Sequence, residues 1–262
     1  MTPTAVAARG LSGSWFPGDL PPVVFVHGTM DRSAGLRRCV RQVQPVAVLT
    51  YDRRGYATSM DAAVETTSME EQVEDLVALV DEVTDGPVVV VGHSLGGLIA
   101  LHASVRHPDR VVSVGAWEPP MPWFDWYRDD ASRSGVVGDD EDPADAAERF
   151  MRAMVGERLW ERLPAHFRKE RRAEGVTMRA DLAMASDPAS ILDLSAVTVP
   201  VVAGCGSESS VRFRRSAHAL VSEVADATLV ELEGATHGAH LTHPAEFARF
   251  ALLARSRAQL PA

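Results

Sequence analysis

Short apolar runs rich in valine recur along the chain between longer amphipathic stretches: Val23 to Val26, Val46 to Tyr51, Val88 to Val91, Val111 to Ala116, Val199 to Ala203 and Thr228 to Leu232. Runs this short with no polar alternation predict strands covered on both faces, as in a parallel sheet whose crossover helices shield either side. Three helices are legible around them. Ser68-Met69-Glu70-Glu71 has the spacing of a capping box, and Val73, Leu76, Val77 and Val80 follow on one helical face. Leu95 to Arg106 predicts a second helix ending before Pro108, and Pro244 to Ala258 a third, with Phe247, Phe250 and Leu252 available for packing.

The rhythm breaks between Met121 and Ser190. An aromatic opening, Trp123-Phe124-Asp125-Trp126-Tyr127, leads into acidic and glycine-rich sequence from Asp129 to Asp145, then into helical sequence without a strand run. Sheet rhythm resumes at Val199. Residues 121–190 are therefore expected to be a helical insertion, with residues 1–120 and 191–262 forming one α/β core. A chain of 262 residues suits a single core of that kind.

Composition narrows the partners. A formal net charge of -10 argues against a nucleic-acid partner, which needs a basic footprint. The basic clusters Arg168 to Arg172 and Arg212 to Arg215 read as solvated helical faces. Cys39 and Cys205 lie far apart and suggest neither a disulfide framework nor a cysteine zinc module, so a reduced, cytoplasmic setting is expected. The N-terminus lacks a signal-peptide pattern and no apolar run reaches membrane-spanning length, so no membrane partner is expected.

The sharpest chemical signal is Gly92-His93-Ser94-Leu95-Gly96, a G-x-S-x-G pattern between a buried strand and a helix. A tight strand-to-helix turn crowds the backbone around its serine, and glycines relieve the crowding while Oγ is lifted above the sheet. The free N–H groups at the helix start face the place where an oxyanion would form, which nominates the Leu95 amide. The second donor is expected from the loop after Val26, from Thr29 or alternatively Met30. A serine nucleophile needs a base. Of nine histidines, His237 follows the last strand run on a loop that a parallel sheet would bring to the edge carrying Ser94, whereas His102, His166 and His218 lie in helical sequence. The run His237, His240, His243 also has ligand-like spacing, but no H-E-x-x-H and no acidic ligand at a familiar spacing accompanies it, so no metal is expected.

These surroundings resemble the α/β-hydrolase superfamily. His27-Gly28-Thr29 is similar to its oxyanion loop, Tyr51-Asp52-Arg53-Arg54-Gly55 to its D-x-R-G turn, and Gly234 to Phe247 to its G-x-x-H-x-x-H-x-x-x-P-x-x-F ending. The resemblance implies a mostly parallel sheet with helices on both faces and a helical cap over residues 121–190; the serine chemistry itself requires no cofactor. The stretch before Val23 is short, so the family's first strands are expected to be reduced or missing. A serine in the elbow argues against the dehalogenase and epoxide hydrolase branches, which use aspartate there.

The acid that would orient His237 departs from the family pattern. Where a G-x-x-D turn usually supplies aspartate, Gly206-Ser207-Glu208-Ser209 places Ser209. Glu208 is one residue out of register. Glu118, after the strand that precedes the insertion, occupies an alternative acid position of the fold and is favoured over Glu208. The expected activity is hydrolysis of an ester or related acyl bond of a small substrate through Ser94. The aromatic run from Trp117 to Tyr127 suggests an apolar acyl or alcohol group. Thioester, lactone and carbon–carbon bond cleavage, and acyl transfer, share the same chemistry. A catalytically silent ligand-binding relative is the rival, supported by the serine at position 209.

Overall fold

The computed structural model describes residues 2–62, 65–129 and 141–258. Its strands are β1 (Thr4–Ala8), β2 (Leu11–Phe16), β3 (Asp19–Val26), β4 (Val46–Asp52), β5 (Val88–His93), β6 (Val111–Trp117), β7 (Val201–Gly206) and β8 (Ala227–Leu232). They form one 8-stranded sheet in the order β1-β2-β4-β3-β5-β6-β7-β8. The pairs β1–β2 and β2–β4 are antiparallel, and every pair from β4 to β8 is parallel. All six apolar runs are strands. The N-terminal strands, expected to be reduced or missing, are present: β2 runs beside β4 with Ser12 opposite Asp52 and Phe16 opposite Val48. The hairpin lies half-exposed at the sheet edge, and Ser12, Gly13 and Ser14 dilute its apolar signal.

Helices α1 (Arg37–Val43), α2 (Met69–Asp81) and α3 (Leu95–Arg106) connect the strands of the first half. Between β6 and β7 stand α4 (Asp125–Arg128), α5 (Pro143–Val155), α6 (Glu157–Arg162), α7 (Ala165–Ala173) and α8 (Gly175–Ser186), and no strand is found among the described residues there. Residues 130–140, within the expected insertion and its acidic stretch, lie outside the described residues. The chain closes with α9 (Val211–Glu223), α10 (Ala239–Thr242) and α11 (Pro244–Ser256). The capping box of α2 forms as its spacing predicts: Ser68 Oγ accepts from the Glu71 amide at 3.1 Å, and Glu71 Oε2 from the Ser68 amide at 3.0 Å.

Adjacent strand residues serve opposite faces of the sheet, which is why the runs are continuously apolar. Val24, Val26 and Val90 pack under α2 and α3 with Leu76 and Leu98. Val23, Phe25, Val89 and Val91 pack on the other face against Val40 of α1 and Phe247 and Phe250 of α11. Each fully buried phenylalanine contributes about 2 kcal/mol of burial free energy. A separate cluster joins Met30 and Tyr56, from the loops after β3 and β4, to Ala147, Met151, Trp160 and Met178 of the helices between β6 and β7. Those helices therefore sit over the ends of β3 and β4. Among the described residues no helix is long and apolar enough to cross a membrane.

Candidate active site

β4 and β5 flank β3 on opposite sides, so the connections leaving β3 and β5 diverge and open a crevice at the carboxyl ends of these strands. Ser94 stands there, between β5 and α3, with φ 54 and ψ -123. That left-handed conformation costs an ordinary residue about 1–3 kcal/mol and persists only when its surroundings enforce it. Here the Ser94 amide donates to Trp117 O at 2.8 Å, and Ser94 O accepts from the Gly97 amide at 2.8 Å. The two glycines of the pattern are steric necessities. A Cβ on Gly92 would lie 2.0 Å from Gly96 O, and one on Gly96 would lie 2.2 Å from Val26 O.

Of the two nominated backbone donors, Leu95 directly follows this serine, and Thr29 follows Gly28, where an added Cβ would lie 2.9 Å from Ser94 Cβ. The Leu95 amide opens α3 and, like the Thr29 amide, has no hydrogen-bond partner among the described residues. The alternative, Met30, has its amide committed to Tyr56 Oη at 3.3 Å. Thr29 is held from its side chain, which donates to Asp181 Oδ2 on α8 at 3.0 Å.

His237 follows β8 and meets Glu118 at the end of β6. Its Nδ1 lies 2.6 Å from Glu118 Oε2. A carboxylate can only accept, so Nδ1 carries the proton and Nε2 is left as the basic nitrogen. Glu118 Oε1 accepts from the Gly206 amide at 2.8 Å, and the residue is fully buried, also at positive φ. Glu208 is exposed and makes no side-chain hydrogen bond or ion pair among the described residues. Ser209 Oγ, at the usual acid position, is buried without a hydrogen-bond partner among the described residues. The structure thus brings Glu118, and not Glu208, to the imidazole.

Residues that the sequence did not nominate hold the base in place. Phe213 of α9 stacks on the His237 ring at 3.9 Å and 7°. His93 lies beyond, its ring centroid 4.6 Å from that of His237. The His237 carbonyl is pinned by two donors, His93 Nε2 at 2.9 Å and Trp117 Nε1 at 3.1 Å. Trp117 is fully buried against Phe247 and Phe250, so it belongs to the core and not to a pocket entrance. Trp123, Phe124 and Trp126 are partly buried against the core.

The remaining histidines divide between scaffold and surface. His27 Nδ1 donates to Gly28 O at 2.8 Å while Nε2 accepts from the Arg53 amide at 2.9 Å, tying β3 to the loop after β4. Burial, reinforced by the Arg53 charge, lowers its pKa to about 4, so it is neutral. Burial, with His240 and His237 nearby, also holds His93 well below the usual range. The run His237, His240, His243 does not converge: His237 faces Glu118, His243 meets Thr242 at the surface, and His240 is buried beside Asp31 and His93. Asp31 comes from the loop after β3, far from that run, which is why no spacing rule pointed to it.

A further charged network joins the loop after β4 to α8. Arg53 and Asp181 are both fully buried and paired, with Nη2 to Oδ2 at 2.6 Å and Nη1 to Oδ1 at 3.0 Å, and Tyr56 Oη donates to Oδ2 at 2.8 Å. Neither partner had a sequence signal beyond the arginine's place in the D-x-R-G-like turn.

Residues 23–250 match the family model described as "Alpha/beta hydrolase family". Among curated proteins, lipase LipV of Mycobacterium tuberculosis is 34% identical over 99 residues, 38% of this chain and 37% of that protein. The mitochondrial palmitoyl-protein thioesterase ABHD10 of Homo sapiens is 28% identical over 101 residues, 37% of this chain and 33% of its own length. The chain thus spans about a third of these relatives. Among solved structures, the meta-cleavage product hydrolase of Pseudomonas fluorescens IP01 superposes with a TM-score of 0.73 at 15% identity, covering 97% of both chains. The enol-lactonase of Burkholderia xenovorans LB400 gives 0.69 at 19% identity, covering 97% of this chain and 100% of that one.

Proposed function

Because the chain belongs to the alpha/beta hydrolase family, we propose that it is a serine hydrolase cleaving a carboxylic ester or related acyl bond of a small organic substrate. The observation that carries this reading is the hydrogen bond from His237 to Glu118, the carboxylate favoured from the sequence. His237 Nε2 removes the proton of Ser94 Oγ as the oxygen attacks the acyl carbonyl, and returns it to the leaving group. The Thr29 and Leu95 amides receive the oxyanion, and water activated by His237 then releases the acid and frees Ser94.

The helices from α4 to α8 act as the cap in this reading, spanning the expected 121–190 insertion and closing over the loops after β3 and β4. No cofactor or metal enters the chemistry. The free, buried thiols of Cys39 and Cys205 suit a reducing cytoplasm. The matched relatives carry the names lipase, thioesterase, enol-lactonase and meta-cleavage product hydrolase, so the leaving group is set by pocket shape and not by the triad. The silent-relative alternative rests on the serine at position 209, and the Glu118–His237 hydrogen bond weighs against it.

The test is to expose wild type and Ser94→Ala to a short-chain aryl ester and a fluorophosphonate probe. Turnover and covalent labelling are expected in wild type, with both lost in the variant. Folded wild type that neither turns over the ester nor takes the label would overturn the proposal.

A further inference from the structure

Three polar side chains outside the proposed triad converge behind it. Asp31 Oδ2, His93 Nδ1 and both ring nitrogens of His240 are buried, and apart from a 3.0 Å ion pair between His240 Nε2 and Asp31 Oδ2 they have no hydrogen-bond partner among the described residues. Buried polar atoms are nearly always satisfied, so several orphans at one place point to a missing ligand. One ligating atom from each residue falls within a set whose members all lie within 4.8 Å of one another.

The local geometry leaves room for an ion shared by the three. His240 Nε2 lies 3.0 Å from Asp31 Oδ2 yet without the alignment of a hydrogen bond, and His93 Nδ1 lies 3.9 Å from the same oxygen. Ligands around one tetrahedral zinc stand about 3.3 Å apart and direct their lone pairs at the metal, not at each other. His93 already has the bonding of a ligating imidazole: its Nε2 proton goes to a backbone carbonyl, that of His237, which leaves Nδ1 with the free lone pair. His93 and His240 are 6% and 2% exposed, whereas the Asp31 side chain is 16% exposed and leaves the cluster one side open to water.

We infer that Asp31, His93 and His240 form a binding site for zinc(II) or another borderline divalent transition ion, with water as a fourth ligand. Two imidazoles and one carboxylate are a donor set of that class. Its place in the chain gives the ion a structural part. Asp31 lies two residues beyond Thr29, His93 immediately precedes Ser94, and His240 lies three beyond His237, so one ion clamps the three loops that carry the proposed site. No step of acyl chemistry passes through it, and the inference stands whether or not the acyl reading does.

The full chain, freed of metal by a chelator and dialysed, would be titrated with cobalt(II) while visible absorption is followed, then with zinc(II) while Tm is followed. One equivalent of cobalt producing ligand-field absorption, displaced by zinc, and a zinc-dependent rise in Tm are expected. Outer ligand partners alone are worth about 10–100-fold in affinity, so Asp31→Asn and His240→Gln should each weaken binding at least about tenfold. Ser94→Ala and the surface variant His218→Gln should bind like wild type. No binding by wild type, unchanged binding in both ligand variants, or equal loss in His218→Gln would each overturn the site. If one ligand variant fails to fold, the other decides. If both fail, the wild-type cobalt spectrum does, an octahedral, weakly absorbing ion counting against the site.

Discussion

Glu118 has two oxygens with two different obligations, and this sets the expected behaviour of a one-atom substitution. Oε1 must accept from the Gly206 amide, while Oε2 faces His237 Nδ1. In Glu118→Gln the carbonyl oxygen is bound to satisfy the Gly206 donor, so the side-chain NH2 turns to the imidazole. That forces Nδ1 to accept and moves the ring proton to Nε2, the wrong tautomer for a base. A fall in kcat on the order of 10⁴ is expected, with Glu208→Gln roughly unchanged, measured on any ester the wild type turns over. The reverse ranking of the two folded variants would reassign the acid. Of the five non-glycine residues at positive φ among the described residues, Ser94, Glu118 and Met30 belong to the loops of the candidate site, whereas Arg9 and Ala57 do not. Such conformations are invisible in a sequence; Ser94 and His237 were nominated from pattern and position, and Glu118 as the favoured of two carboxylates because the usual acid position holds Ser209. Asp31, Asp181 and Phe213 carried no signal at all, because each meets its partners across a long stretch of chain.

At the scale of elements, legibility followed burial. β3, β5, β6 and β7 are covered on both faces, so their sequences are unbroken apolar runs, and α2 announced itself by its capping box. β1 and β2 form an edge that is half-exposed on both sides, and their mixed composition gave no comparable pattern. The attachment of α8 to the sheet was equally hidden, since beside the buried Met178 and Met184 it uses a charged pair that hydrophobic spacing does not announce. That pair supports a second prediction. Asp181→Ala strands the fully buried Arg53 guanidinium and should cost about 3–5 kcal/mol in urea unfolding at neutral pH. Tyr56→Phe removes one hydroxyl bonded to Asp181 and the Met30 amide, and should cost only about 1 kcal/mol. Equal losses in the two variants would mean that the charge pair is not what anchors α8.

Across the whole molecule, buried neutral histidines make stability depend on pH in a defined direction. Burial lowers both His27 and His102 from 6.5 to about 4. Above pH 6.5 neither the folded nor the unfolded chain protonates them. Between 6.5 and 4 the unfolded chain binds protons that the folded chain refuses, so stability falls as pH falls, and below 4 this loss stops. For His102, whose Nε2 lies 3.1 Å from Ser190 O and away from the proposed site, the full effect is about 3 kcal/mol. Urea midpoints from pH 7.5 to 4.5 should therefore decline less steeply in His102→Gln than in wild type, and parallel declines would refute the assignment. The position of Glu118 on β6 has a further consequence. Elbow serine and buried carboxylate both precede the helices between β6 and β7, on adjacent strands, and only His237 must be reached from beyond them. That helical stretch can therefore vary in length without shifting the strand positions of the first two, so long as Asp181 of α8 keeps its bonds to Thr29 and Arg53; under the proposed function, changes confined to the rest of that insertion would alter substrate preference.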